Sequence, residues 1–178
     1  IPRTLNVSLS REYDGTTSVS GVSLTPTFDS LQGGETLSLS GTGSVSNANV
    51  GSSKAVSLGS IALAAGSGNP SNYSLNSATM NVTQRVINLD GIRAYDATTN
   101  VLSSDINTFG NIVSGETLTI SGTGSVGTNS VAMNKAITIG SLSLGNGSGL
   151  ASNYTLTGGI HTFDISPVSV NVTGSRQY

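Results

Sequence analysis

Apolar and small polar residues alternate along most of this chain. Thr36-Leu37-Ser38-Leu39-Ser40 and Thr117-Leu118-Thr119-Ile120-Ser121 change class at every residue, the period-2 signature of a half-buried strand. The same alternation runs through 55–63, 136–144 and 168–172, whereas helical spacing of apolar residues is confined to a weak candidate over 105–112. Gly66-Ser67-Gly68-Asn69-Pro70 and Gly145-Asn146-Gly147-Ser148-Gly149 punctuate the strands as turns. The pattern predicts an all-β protein whose outward faces carry hydroxyls.

The pattern also repeats. Leu5-Asn6-Val7-x-x-x-Arg11-x-Tyr13 recurs as Ile87-Asn88-Leu89-x-x-x-Arg93-x-Tyr95 and again as Val170-Asn171-Val172-x-x-x-Arg176-x-Tyr178. Between the first two copies, Gly34-Glu35-Thr36-Leu37, Ser40-Gly41-Thr42-Gly43, Lys54-Ala55 and Ser71-Asn72-Tyr73 return in order as Gly115-Glu116-Thr117-Leu118, Ser121-Gly122-Thr123-Gly124, Lys135-Ala136 and Ser152-Asn153-Tyr154. Two modules follow, 1–84 and 85–166, with 167–178 read as the first strand of a third. The third copy stops at Tyr178 and the chain opens on Ile1-Pro2 without Met, as expected of a segment from a longer array. The repeat is too long for the rungs of a parallel β-helix, which need roughly 20–30 residues. A module of about 80 residues supports its own core, though a thin one. The junction 81–89 has no Gly or Pro spacer such as a flexible linker would use. Stiff, sandwich-like modules arranged end to end as an elongated rod are therefore expected.

Composition narrows the function. Charged residues are 9% of the chain, the net charge is -2, and Gly, Ser, Thr and Asn make up about half of it. No basic field is available to neutralise phosphates, so a nucleic-acid partner is not expected. No apolar run approaches the ~18 residues of a spanning helix, so membrane insertion is not expected either. Without Cys there are no disulfides, thiolate metal sites or Cys nucleophiles.

Repetition supplies an internal control, because chemistry essential to the module should occur in both copies. His161 is the single His and therefore forms neither a metal pair nor a repeated triad; a surface or edge-strand position is expected for it. Asp14 and Asp96 each follow a Tyr and precede Gly-Thr-Thr or Ala-Thr-Thr, which reads as an Asx-type turn. Calcium binding would require more carboxylates than either copy offers. Gly15 is matched by Ala97. If that position needs φ > 0, Ala97 is strained by about 1 kcal/mol. Glu35 and Glu116 supply one carboxylate per module at the start of a strand, with no second acid placed beside them for glycoside hydrolysis. Lys54 and Lys135, the sole Lys of each module, read as solvated strand ends, with a Lys–Asn cross-link as the alternative. Tyr13, Tyr73, Tyr95, Tyr154 and the three Phe residues are expected in the cores with their polar edges at the rim. Asn72 and Asn153 head Asn-x-Ser/Thr triplets but serve equally well as turn-to-strand elements. No cofactor and no catalytic group is expected.

Tyr-Asp-Gly-Thr-Thr, then Gly-Glu-Thr-Leu, Ser-Gly-Thr-Gly, Lys-Ala-(Val/Ile) and Ser-Asn-Tyr-(Ser/Thr)-Leu together resemble the YDG/MBG-type repeats of bacterial surface exoproteins, notably filamentous-haemagglutinin-like adhesins exported by two-partner secretion. Ala97 departs from the motif, as does Gln84 where Pro2 and Pro167 stand. The resemblance implies extracellular, tandem, β-rich modules, sandwich-like or β-grasp-like with one short helix per unit. They would form a non-catalytic stalk in adhesion, aggregation or biofilm formation. Its partners would be neighbouring repeats of the same chain, and the fragment would be a monomer. A module that binds exopolysaccharide or host glycan is the alternative reading.

Overall fold

A computed structural model describes residues 1–21 and 23–176, and the chain divides into two compact units, Ile1–Arg85 and Val86–Tyr178. Unit 1 contains β1 (Arg3–Glu12), β2 (Ser18–Ser20), β3 (Thr27–Phe28), β4 (Leu37–Ser40), β5 (Thr42–Val45), β6 (Gly51–Ser57), β7 (Ala62–Ala65) and β8 (Tyr73–Thr83). After β9 (Arg85–Val86), unit 2 contains β10 (Asn88–Ala94), β11 (Asn100–Leu102), β12 (Ile106–Gly110), β13 (Leu118–Ser121), β14 (Thr123–Val126), β15 (Ala132–Thr138), β16 (Ser143–Asn146), β17 (Tyr154–Thr155) and β18 (His161–Ser166). Residues 167–176 carry neither strand nor helix, and the Tyr of the third copy, Tyr178, lies outside the described residues.

The main sheet of unit 1 has the order β2-β5-β6-β8-β1-β3, and that of unit 2 repeats it as β11-β14-β15-β18-β10-β12. A separate ribbon, β4–β7 or β13–β16, accompanies each. The first and last strands of each unit lie side by side and parallel at the middle of the sheet, β1 with β8 and β10 with β18. Their other neighbours are antiparallel. This strand order suits the β-grasp-like alternative, but its short helix is absent among the described residues. Helical structure there is limited to single 3-10 turns at Pro70–Asn72, Ser103–Asp105 and Ala151–Asn153. The weak helical candidate over 105–112 is mostly strand β12. Ile106, Thr108 and Phe109 have the extended propensity, and they pair with β10.

Alternation sets the burial. In β1, Leu5, Val7 and Leu9 point inward and are at most 2% exposed, while Asn6, Ser8 and Ser10 face out. Leu89, Phe163 and Ile165 do the same in unit 2, packed with Val101, Ile106 and Val126. Each such side chain removed from water stabilises by about 1.5–3 kcal/mol, so the two alternating strands at the sheet centre carry a large share of each core.

Candidate functional site

The Tyr-Asp loop follows directly from the first strand of each unit. Parity places Arg11 on the inward side of β1, after Leu9, and its side chain is 10% exposed. From there it runs beneath the turn. Its Nη1 reaches Asp14 Oδ2 at 3.2 Å and donates to Thr16 Oγ1 (3.2 Å) and the Ser18 carbonyl (2.5 Å), while Nη2 donates to the Thr16 carbonyl. Asp14 Oδ1 accepts from the Thr16 amide at 2.9 Å and its hydroxyl at 3.0 Å, which is the expected Asx turn. Unit 2 builds the same loop. Arg93, with 9% of its side chain exposed, meets Asp96 Oδ1 at 3.1 Å and donates to the Thr98 carbonyl at 2.5 Å. Asp96 Oδ1 accepts from the Thr98 amide and hydroxyl at 2.9 and 3.0 Å. The Thr98 amide, then its hydroxyl and Arg93, hold the Asp96 carboxyl below the usual carboxylate range.

Both copies of the loop need a left-handed residue after the Asp: Gly15 has φ 76° and Ala97 φ 66°. Ala97 therefore bears the steric cost that Gly15 avoids. Its carbonyl accepts from Asn129 Nδ2 at 2.9 Å. The two tyrosines differ. Tyr13 is 4% exposed and belongs to the core, whereas Tyr95, expected in a core, is 42% exposed.

A second recurring arrangement joins the Tyr of Ser-Asn-Tyr to the Glu of Gly-Glu-Thr. The Tyr73 hydroxyl, itself accepting from the Gln32 amide at 3.3 Å, donates to Glu35 Oε2. The Tyr154 hydroxyl donates to Glu116 Oε2 at 2.6 Å and accepts from the Val113 amide at 3.2 Å. The Glu35 bond, then burial, pushes the Tyr73 phenol up from its ordinary value. The glycine-rich stretch serves this contact. A Cβ on Gly68 would lie 3.0 Å from Glu35 Oε2, and one on Gly149 would lie 2.4 Å from Glu116 Oε2. Ser67 and Ser148 close the same corner; their hydroxyls accept from the Thr36 and Thr117 amides, respectively, at 2.9 Å.

The lysines are a correction to the solvated strand end. Both are half-buried, and each ties down the loop that precedes its own strand. Lys54 Nζ donates to the Asn47 carbonyl and Oδ1 at 2.8 Å and to the Asn49 carbonyl at 2.5 Å. Lys135 Nζ reaches Thr128 Oγ1 at 2.8 Å and the Ser130 carbonyl at 3.2 Å. An ammonium with three donors can satisfy several loop acceptors at once. Burial, then the Arg11 charge, pulls the Lys54 amine below its ordinary range. Asn47 is matched by Thr128, so the amide beside Lys54 has no counterpart in unit 2.

His161 is a second correction, for it is neither exposed nor on an edge. It is 9% exposed and begins β18, between β15 and β10. Its Nδ1 accepts from the Leu89 amide at 3.1 Å and its Nε2 lies 2.8 Å from the Leu156 carbonyl. The first bond requires a bare Nδ1, so Nε2 carries the proton and donates. The cause is local: unit 2 detours at 156–160, and the imidazole satisfies backbone groups the detour leaves over. Asn153 is 1% exposed, while Asn72 is exposed.

Arg11 and Arg93 are the residues that site reasoning undervalued. Their signal was available: in a chain with so few charges, an Arg recurs at one inward-parity position. No group of three or more His, Cys, Asp or Glu gathers among the described residues to hold a metal. No helix there is long and apolar enough to cross a membrane.

Comparison with protein families decides the identity of the repeats, since the YDG domain matches twice, over residues 1–80 and 81–161. The chain belongs to the YDG domain family. No curated protein and no solved structure matches it. In each YDG unit, the Tyr-Asp motif lies in the turn that caps the first central strand, with an arginine as its inner support.

Proposed function

We propose that the two YDG units are a non-catalytic stalk segment of a large secreted or cell-surface bacterial adhesin of the filamentous-haemagglutinin-like, two-partner-secretion kind. They space a binding region from the cell in adhesion, aggregation or biofilm formation. One observation carries this reading. The side chains that recur in both copies are spent on holding the scaffold: Arg and Asp on the turn, Tyr on a loop amide and on Glu, Lys on loop carbonyls. A module repeated for chemistry would repeat a free reactive group, whereas a module repeated for length repeats its scaffold. The partners of each unit are then its neighbours in the same chain, outside the cell.

The test replaces residues 1–166 in the parent protein with unrelated β modules of equal length. Adhesion that survives this replacement but is lost on simple deletion supports the stalk. Adhesion lost in both cases overturns it.

A groove in unit 1 favours a second reading, glycan binding. Asn6, Ser8, Thr27, Phe28, Asp29 and Thr79 line a cavity of about 350 Å³, which sets an amide, a carboxylate and hydroxyls beside an aromatic ring. Asp29 is matched by Gly110 in unit 2. Polysaccharide pull-down lost on Asp29→Ala, with the fold retained, is the outcome this reading requires.

A further inference from the structure

We infer that each YDG unit is a mechanical clamp: the unit resists tension along the chain because its first and last strands are parallel and adjacent. This deepens the stalk reading, but it follows from topology alone. In unit 1, β1 begins at Arg3 and β8 ends at Thr83, two residues before the boundary with unit 2. Tension carried by the backbone therefore enters at one end of β1 and leaves at the opposite end of β8.

Between those points Arg3 pairs with Tyr73 and the register continues to Glu12 with Thr83, with a single irregularity after Leu5. Parallel strands pulled from opposite ends must slide. Every hydrogen bond of the ladder is then strained at once, so the barrier holds many bonds together. Strands pulled from the same end peel, and the bonds fail one by one. Sliding also drags Leu5, Val7 and Leu9 through the core, where they are at most 2% exposed.

Cross-ties close the exit end. The Tyr13 amide donates to the Thr83 carbonyl at 2.9 Å, and the Thr83 hydroxyl donates to the Arg11 carbonyl at 3.3 Å. Arg85 Nη1 donates to the Tyr13 carbonyl at 3.3 Å and lies 3.4 Å from Glu12 Oε1. On its other flank β1 pairs with the two-residue strand β3 and with Asp29 just beyond it, whose amide donates to the Asn6 carbonyl at 3.2 Å, so the much longer β1–β8 ladder is the element that bears the load. Unit 2 has the same geometry over a shorter run, Leu89 with His161 through Ala94 with Ser166.

Because the chain has no Cys, pairs of introduced thiols can place pulling handles in the 178-residue chain. Ile1→Cys with Gln84→Cys loads β1 and β8 in shear. Ile1→Cys with Ser71→Cys loads the same two strands from one end, so that they peel. Single-molecule pulling should give an unfolding force for unit 1 severalfold higher in the first geometry than in the second, since forced unfolding follows the height of the unfolding barrier. Equal forces in the two geometries, or a lower force in shear, would overturn the clamp. Because both variants contain the same folded unit, a difference between them cannot come from misfolding. The length-replacement assay in cells tests the stalk separately: the clamp can hold where the stalk fails, and the reverse.

Discussion

At the centre of unit 1, Leu9 of β1 lies opposite Met80 of β8; at the same place in unit 2, Gly91 of β10 lies opposite Phe163 of β18. One unit shares the space between two medium side chains, and the other gives nearly all of it to one ring. A Cβ on Gly91 would come within 2.9 Å of Phe163 Cδ2 and 2.7 Å of the Asp105 carbonyl. The second contact has no obvious relief, because β12 pairs with β10 right up to Gly91, while β3 stops at the level of Ser8. The two copies thus keep one topology while exchanging volume across strands, which close-packed cores allow when the total is held. Arg93 follows the change, with its guanidinium 5.4 Å from the Phe163 ring centre.

The largest effect should come from the ring. Phe163→Ala should cost unit 2 about 3–5 kcal/mol, within the usual range for a buried Phe, and leave unit 1 nearly untouched. Hydrogen exchange resolved by residue would locate the loss, and equal deprotection of both units would break the comparison. Gly91→Ala should cost about 1–3 kcal/mol by overpacking. Adding Phe163→Leu should recover only part of that, because the Asp105 carbonyl stays where it is. Full recovery would mean that the ring alone demands the glycine.

Next is the arginine beneath the turn. Arg11→Met keeps the bulk but takes the donor from the exposed Thr16 and Ser18 carbonyls, which water can then reach, so the loss should be about 0.5–1.5 kcal/mol, the net worth of an ordinary hydrogen bond. Arg93→Met should act in the same direction on unit 2. Thermal melts read this directly, since about 1 kcal/mol shifts Tm by 4–8 °C in a domain of this size.

These side chains also mark how far the sequence could be read. Strands, turns, the repeat and the Asx turn all followed from alternation, Gly placement and Asp-x-Thr spacing, because each is a local rule. The Tyr–Glu bond was not legible, since its partners lie 38 residues apart and only the folded corner brings them together. The lysine ties escaped for a related reason: an isolated Lys in a polar chain normally stays in water, and loop carbonyls leave no mark in sequence. The fate of His161 depended on a two-residue lengthening between Tyr154 and Phe163 relative to Tyr73 and Met80. That lengthening breaks the continuous β8 into β17 and β18.

A smaller effect tests the Tyr–Glu corner by pH. The Tyr73 phenol is raised in the folded state, so the folded unit retains its proton where the unfolded chain has lost it. The linked stability is complete below the ordinary Tyr value of about 10 and falls as pH rises through the folded value. Tyrosinate absorbance should therefore show the Tyr73 phenol titrating above the usual range. Glu35→Gln should bring it back down; an unchanged curve would remove Glu35 as the cause.

The smallest effect concerns the loop that gives the family its name. Gly15 and Ala97 adopt nearly the same left-handed conformation, so their difference isolates the cost of one methyl group. Ala97→Gly should stabilise unit 2 by less than the roughly 1 kcal/mol that a left-handed Ala costs, because the more flexible unfolded chain takes back part of the gain. Gly15→Ala should destabilise unit 1 by a similar amount. The two need not be mirror images. Asn129 holds the Ala97 carbonyl, and its matched position in unit 1 is Ala48, whose methyl side chain has no donor to offer. Asn129→Ala should therefore weaken unit 2 more when residue 97 is Ala than when it is Gly, because only the strained residue depends on being held in place. If calorimetry gives the same loss in both backgrounds, the Asn129 bond plays no part in offsetting the methyl group, and the second copy simply tolerates its cost.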